Sequence, residues 1–226
     1  MRKIISYIIL TTLVLLSSGC RGRDYVAHAG GNINTHMYSN SLEAVRNALA
    51  NNMTYIELDF SVTSDGQLVA WHDWHFEWDH VPTHDEFMAR KIYGQFTPID
   101  FPRLDSILTH NPYLKLVTDK MSNPAIIDQW LRAYKDRMWV ECFDDNDYFA
   151  LQEMGYSVLA SRVPPLQSEG KAAVRNYTFN YKHCSDLSER DGDCFALFGG
   201  VITRTMADSL FALDQRIRFV YIDFYD

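Results

Sequence analysis

The segment Tyr55-Ile56-Glu57-Leu58-Asp59-Phe60 leaves a chain of this kind few ways to fold. In a strand, side chains alternate between two faces, so Ile56, Leu58 and Phe60 share one face while Glu57 and Asp59 share the other. Two neighbouring carboxylates repel each other, and burying them unpaired is costly. Something positive has to sit between them, and a divalent cation bound through oxygen is the cheapest candidate. The turn signal Thr63-Ser64-Asp65-Gly66 follows, then a second apolar run from Gln67 to His72. The descent from Asp59 to the turn and the climb back cover similar lengths. His72 is therefore expected at the same end of the sheet as the two acids, and that end reads as an active-site mouth.

The rest of the chain supplies the partners for such a strand. Residues 24–31 read as a first strand ending in a glycine-rich bend. Asn40, with Glu43 three residues on, reads as the cap of a helix with an apolar stripe of Leu42, Val45 and Leu49. Residues 73–103 are rich in Trp, Phe, His and Asp and read as a long loop with one short helix near 85–91. Further strands are expected at 113–118, 138–143, 157–163, 176–181, 200–203 and 218–225. Helices are expected at 104–108, 125–135, 146–154 and 206–214. This alternation argues for a parallel sheet. About eight strands with chemistry at their ends favour closure, and no glycine-rich phosphate loop opens a helix as in a nucleotide-binding sheet. The expected fold is α/β: a TIM-type (β/α)8 barrel, irregular, with a helix-free connection between strands 2 and 3. Such barrels typically run to about 250 residues; this chain has 226.

Charge and address narrow the function. With 21 basic against 29 acidic residues, the chain lacks the basic footprint of a nucleic-acid binder. Arg2 and Lys3 precede an apolar run, Ile4 to Leu16, that is too short to span a bilayer comfortably. Ser17-Ser18-Gly19-Cys20 then resembles the lipobox of bacterial lipoproteins. It implies a signal peptide at 1–19, a domain at 20–226, lipidation of Cys20, and a place in the bacterial cell envelope with a lipid anchor in the membrane; an ordinary secretory peptide, leaving the protein periplasmic or secreted, is the alternative. Outside the cytoplasm the spacing of Cys184 and Cys194 suits a local disulfide, and Cys142 reads as a buried thiol. His75, His80 and His84 read as parts of a polar, aromatic loop rather than a zinc site. Trp71, Trp74, Phe76 and Trp78 either line a substrate mouth or pack that loop onto the barrel.

Several stretches, in this order and spacing, resemble the glycerophosphodiester phosphodiesterase family of the phospholipase C-like phosphodiesterases. They are Ala27-His28-Ala29-Gly30-Gly31, Asn40-Ser41-Leu42-Glu43-Ala44, Ile56-Glu57-Leu58-Asp59, Thr63-Ser64-Asp65-Gly66 and Leu68-Val69-Ala70-Trp71-His72-Asp73. Weaker echoes are Val117-Thr118-Asp119-Lys120, Glu141-Cys142-Phe143-Asp144 and Tyr221-Ile222-Asp223. The resemblance implies His28 and His72 as an acid–base pair, Glu57 and Asp59 as ligands of Mg²⁺ or Ca²⁺, and Lys120 and Asp73 on the substrate. It implies metal-dependent hydrolysis of glycerophosphodiesters or related lipid or polyol phosphodiesters. A lyase forming a cyclic phosphate, or a catalytically weak barrel that binds a small phosphodiester, are the alternatives. The chemistry is consistent: a cation and a lysine neutralise the anionic diester, and histidines exchange protons near neutral pH. Two departures stand out. Ala29 replaces the Arg usual after the first His, and the carboxylate usual two residues before the lysine is Thr118, with Asp119 shifted by one. In a regular strand Asp119 is expected to point away from the barrel axis, reaching the metal only if the strand ends there; Glu141 is the inward alternative.

Overall fold

A computed structural model describes residues 22–170 and 172–225. The expected signal segment at 1–19 and the lipidation position Cys20 lie outside the described residues. Eight parallel strands close into a ring. In ring order they are β1 (Asp24–Ala27), β2 (Tyr55–Val62), β4 (Lys115–Asp119), β5 (Met138–Cys142), β6 (Ser157–Ser161), β7 (Asn176–Asn180), β8 (Cys194–Phe198) and β9 (Ile217–Ile222), which pairs back onto β1. The short β3 (Leu68–Ala70) lies antiparallel to the end of β2, with Phe60 opposite Ala70. Six α-helices lie among the described residues: α1 (Leu42–Ala50), α2 (His84–Ala89), α3 (Phe101–His110), α4 (Pro124–Leu131), α5 (Asp145–Glu153) and α6 (Arg204–Phe211). This is the expected irregular TIM-type barrel. Beyond the hairpin, it is also shortened where β6 connects to β7 and β7 to β8, by 3₁₀ turns instead of helices.

Strand alternation sorts the core into two layers. Val26, Tyr55, Val117, Leu159, Cys194, Ala196, Phe219 and Tyr221 face inward and fill the barrel. Ile56, Leu58, Leu116, Val140, Val158, Leu197 and Val220 face outward, against Val45, Leu104, Ile127, Leu151 and Ala207 of the helices. Both faces of each strand are buried, as parallel barrel strands require. A third cluster, Val69, Trp71, Phe87, Ile92 and Phe96, holds the 73–103 arm beside the hairpin. Trp74 and Trp78 pack into this cluster, with Trp74 stacked on Trp71 at 6.2 Å between centroids. They serve the arm, whereas Trp71 also reaches the cavity described below.

Three local expectations are corrected. Ser41, not Asn40, caps α1, its Oγ accepting from the Ala44 N–H at 3.2 Å. Glu43, expected to complete that cap, accepts instead from the Thr97 N–H and Oγ–H, both at 2.8 Å, and so ties the arm to α1. The strand expected at 200–203 is β8, ending at Phe198. Gly199 and Gly200 follow with φ of +126° and +58°, outside strand geometry, and a Cβ on Gly199 would lie 2.3 Å from the Asn180 amide nitrogen.

The expected disulfide between Cys184 and Cys194 does not form. Cys194 is on β8 inside the barrel, whereas Cys184 packs against the outer apolar layer, so the sheet separates them. Cys142 is buried as expected, and burial pushes its thiol up to about 12.

Because the Glu43 carboxylate accepts both the Thr97 N–H and its hydroxyl, Glu43→Ala should lower stability by about 1–3 kcal/mol in chemical denaturation. Hydrogen exchange should accelerate first in the 73–100 arm. Unchanged protection there would show that the arm is held without Glu43, by its apolar cluster and by backbone bonds such as that from the Leu42 N–H to the Thr97 carbonyl at 3.0 Å.

Candidate active site

The carboxyl ends of the strands surround a cavity of about 570 Å³. His28 follows β1, Glu57 and Asp59 project from β2, Asp119 ends β4 with Lys120 next, Glu141 lies on β5, and Tyr221 on β9; all seven line the cavity. His72 and Asp73 line it too. The hairpin delivers them as the sequence implies: the Trp71 N–H donates to the Asp59 carbonyl at 2.9 Å, so the chain re-emerges beside the acids. His72 is exposed and His28 only partly so.

Glu57, Asp59 and Asp119 form the one group among the described residues arranged to hold a metal ion, each offering an oxygen within 4.8 Å of the others. Glu57 and Asp59 are 2 % and 4 % exposed. Glu57 Oε2 accepts from the Ala29 N–H at 2.7 Å, while Oε1 is buried without a hydrogen-bond partner. Burial, and then the charges of Asp59 and Asp119, hold the Glu57 carboxyl well above the usual carboxylate range. Burial, then Asp59, also raises Asp119, against the opposing pull of Lys120. An orphaned buried oxygen among mutually repelling carboxylates fits a hard divalent cation. The oxygen-only donor set points the same way.

The expectation that Asp119 points away from the axis is corrected. Asp119 pairs in register with Asp59 and lies two residues beyond inward-facing Val117, so it faces the axis, and Thr118 does not. Lys120 then takes φ +66°, a left-handed turn at the end of β4, and lines the cavity beside Asp119. Its Nζ lies 3.6 Å from Asp119 Oδ2 and 5.6 Å from the centre of the Phe143 ring. Glu141 faces the cavity outside the three-acid group and accepts from the Tyr221 hydroxyl. Burial, then Asp119, raises its carboxyl well above the ordinary range.

Two residues of the site escape a reading along the sequence. Asp223, buried at 2 % exposure, accepts through Oδ1 from His28 Nδ1 at 3.1 Å and through Oδ2 from the Ile202 N–H at 2.8 Å. Its signal was its place two residues beyond inward-facing Tyr221. Asn40, read as a helix cap, instead bonds Asp59 twice. Tyr38 sets its ring edge-on to His28, 4.8 Å between centroids, and donates to the Gly200 carbonyl at 2.9 Å. Asp73 caps the turn after it, accepting from the His75 N–H at 2.9 Å. Two of the three loop histidines engage acids through their rings: His80 with Asp79 at 2.7 Å and His84 with Asp100 at 3.1 Å.

Comparison with known proteins follows the same lines. No curated protein sequence matches the chain significantly. Among solved structures it is similar to a glycerophosphodiester phosphodiesterase from Agrobacterium tumefaciens, with a TM-score of 0.67 at 18 % identity over 90 % of this chain and 97 % of the other. It is similar to another from Parabacteroides distasonis, with a TM-score of 0.66 at 16 % identity over 89 % and 94 %. An Oleispira antarctica phosphodiesterase, in complex with the product sn-glycerol-3-phosphate, matches with a TM-score of 0.64 at 15 % identity over 88 % and 92 %. At such identities these likenesses establish the fold. The model of the glycerophosphoryl diester phosphodiesterase family matches residues 28–192, well over half of the sequence. The chain belongs to the glycerophosphoryl diester phosphodiesterase family.

Proposed function

We propose that the protein hydrolyses glycerophosphodiesters, or closely related polyol or lipid-headgroup phosphodiesters, with the help of a divalent cation and a pair of histidines. The carrying observation is the meeting in one cavity of His28, His72, Lys120 and three carboxylates with oxygens within 4.8 Å of one another. Glu57, Asp59 and Asp119 hold the cation, which supplies charge neutralisation for the anionic diester. Its oxygen ligands favour Mg²⁺ or Ca²⁺. Glu141, hydrogen-bonded by Tyr221, stays outside this set.

The histidines divide the proton work. A carboxylate at Nδ1 fixes the tautomer of His28, since Asp223 accepts the Nδ1 proton and Nε2 remains the exchanging nitrogen. One histidine takes a proton from the attacking oxygen as the other protonates the leaving alkoxide. Lys120, held at the cavity wall by its own left-handed backbone, faces the charge that builds on the phosphoryl oxygens. With Ala29 in the place after His28, Lys120 meets this charge without an arginine from that position.

The lipobox-like Ser17-Ser18-Gly19-Cys20 supports an envelope location. β1 starts four residues after Cys20, at the barrel end opposite the cavity, so a lipid there tethers the closed end and leaves the mouth outward.

His28→Ala and His72→Ala should each lower kcat/KM on glycerophosphodiesters by about 10²- to 10⁴-fold; near-normal turnover in either variant rejects the acid–base pair. Chelation should abolish turnover and lower the Tm, and returning Mg²⁺ or Ca²⁺ at about 100 times its Kd should restore about 2.7 kcal/mol of stability. A Tm indifferent to both ions would remove the cation from the scheme. Phosphorus NMR of the products should show an open monoester, and a cyclic phosphate would make the enzyme a lyase.

A further inference from the structure

The acids of the site do not stand alone on β2. Asn40 is 1 % exposed and sits at φ +48°, in the left-handed region. Its side-chain amide makes both of its bonds to one residue: Nδ2 donates to Asp59 Oδ2 at 2.8 Å, and Oδ1 accepts from the Asp59 N–H at 3.0 Å. Its own N–H donates to the Ala29 carbonyl at 3.0 Å. Ala29, likewise left-handed at φ +47° and 1 % exposed, donates its N–H to Glu57 Oε2 at 2.7 Å. Ala29 also follows His28 directly.

We infer that Ala29 and Asn40 form a clip that orients the two β2 carboxylates for the cation, with Asn40 as the positioning residue for Asp59. This rests on the cation reading above. Each end of the clip occupies one oxygen of one acid, and on Glu57 it leaves Oε1 without any other partner. A carboxylate held by one oxygen has lost rotation about its side-chain bonds before a cation arrives, which is how groups behind metal ligands raise affinity. The two left-handed residues persist because the surrounding structure over-determines them, and strained backbone of this kind clusters at functional sites. A helix cap would not explain the amide's orientation, because Ser41 caps α1.

The test is Mn²⁺ binding, followed by calorimetry and by the free-ion electron paramagnetic resonance signal, in the wild type and in Asn40→Gly. Glycine takes the positive φ without steric cost and deletes both bonds to Asp59. The Kd for Mn²⁺ should rise roughly 10- to 100-fold, in protein shown to be folded by its near-ultraviolet circular dichroism. If the glycine variant does not fold, Asn40→Ser, too short to make the same pair of bonds, is measured in its place. A residue that merely supports the loop lowers the Tm and leaves the Kd alone. An unchanged Kd in the folded variant therefore overturns the clip and spares the cation reading. A wild-type protein that takes up no Mn²⁺ overturns both.

Discussion

Repulsion among buried carboxylates is the constraint around which this barrel is arranged. Glu57, Asp59 and Asp119 would not share a pocket unless each were met by donors; those of Glu57 and Asp59 come from distant parts of the chain, and that of Asp119 from its neighbour. The Ala29 N–H follows β1, the Asn40 amide precedes α1, and the Lys120 N–H, which donates to Asp119 Oδ1 at 2.6 Å, follows β4. Closing the sheet between β9 and β1 is what brings His28, and Asp223 behind it, to the same rim. Dispersed donors lessen the repulsion without cancelling it, and the partnerless oxygen of Glu57 marks the remainder.

The parts legible in the sequence were those governed by local periodicity. Ile56, Leu58 and Phe60 alternating with Glu57 and Asp59 fixed the faces of β2, and Thr63–Gly66 fixed the hairpin that returns His72. The missed features depend on tertiary context. Asn40 and Ser41 are both good helix caps; only the position of Asp59, far away in three dimensions until the barrel closes, decides that Asn40 turns inward. The direction of Asp119 depended on which residues of β4 pair with β2, and the register that puts Val117 opposite Glu57 is a property of neighbouring strands.

Other misreadings share one cause. β8 is buried along nearly all its length, so it shows no alternation, and its opening Cys194 drew it into the preceding polar loop. The two cysteines that frame that loop in sequence belong to opposite sides of the sheet in space. Sequence spacing gives the length of a connection and says nothing of which side of a wall each end occupies. The arm at 73–103 is the converse case: its tryptophans, ambiguous in sequence, find a satellite core of their own.

The inward layer of Val26, Tyr55, Val117, Leu159, Ala196 and Phe219 makes the barrel a vessel with a solid floor. Traffic is therefore confined to a single doorway, and whatever enters between the histidines must back out the way it came. The alcohol and the phosphate-bearing half of a cleaved diester cannot depart in opposite directions. Both have to pass the same rim, where His28, His72 and Lys120 stand.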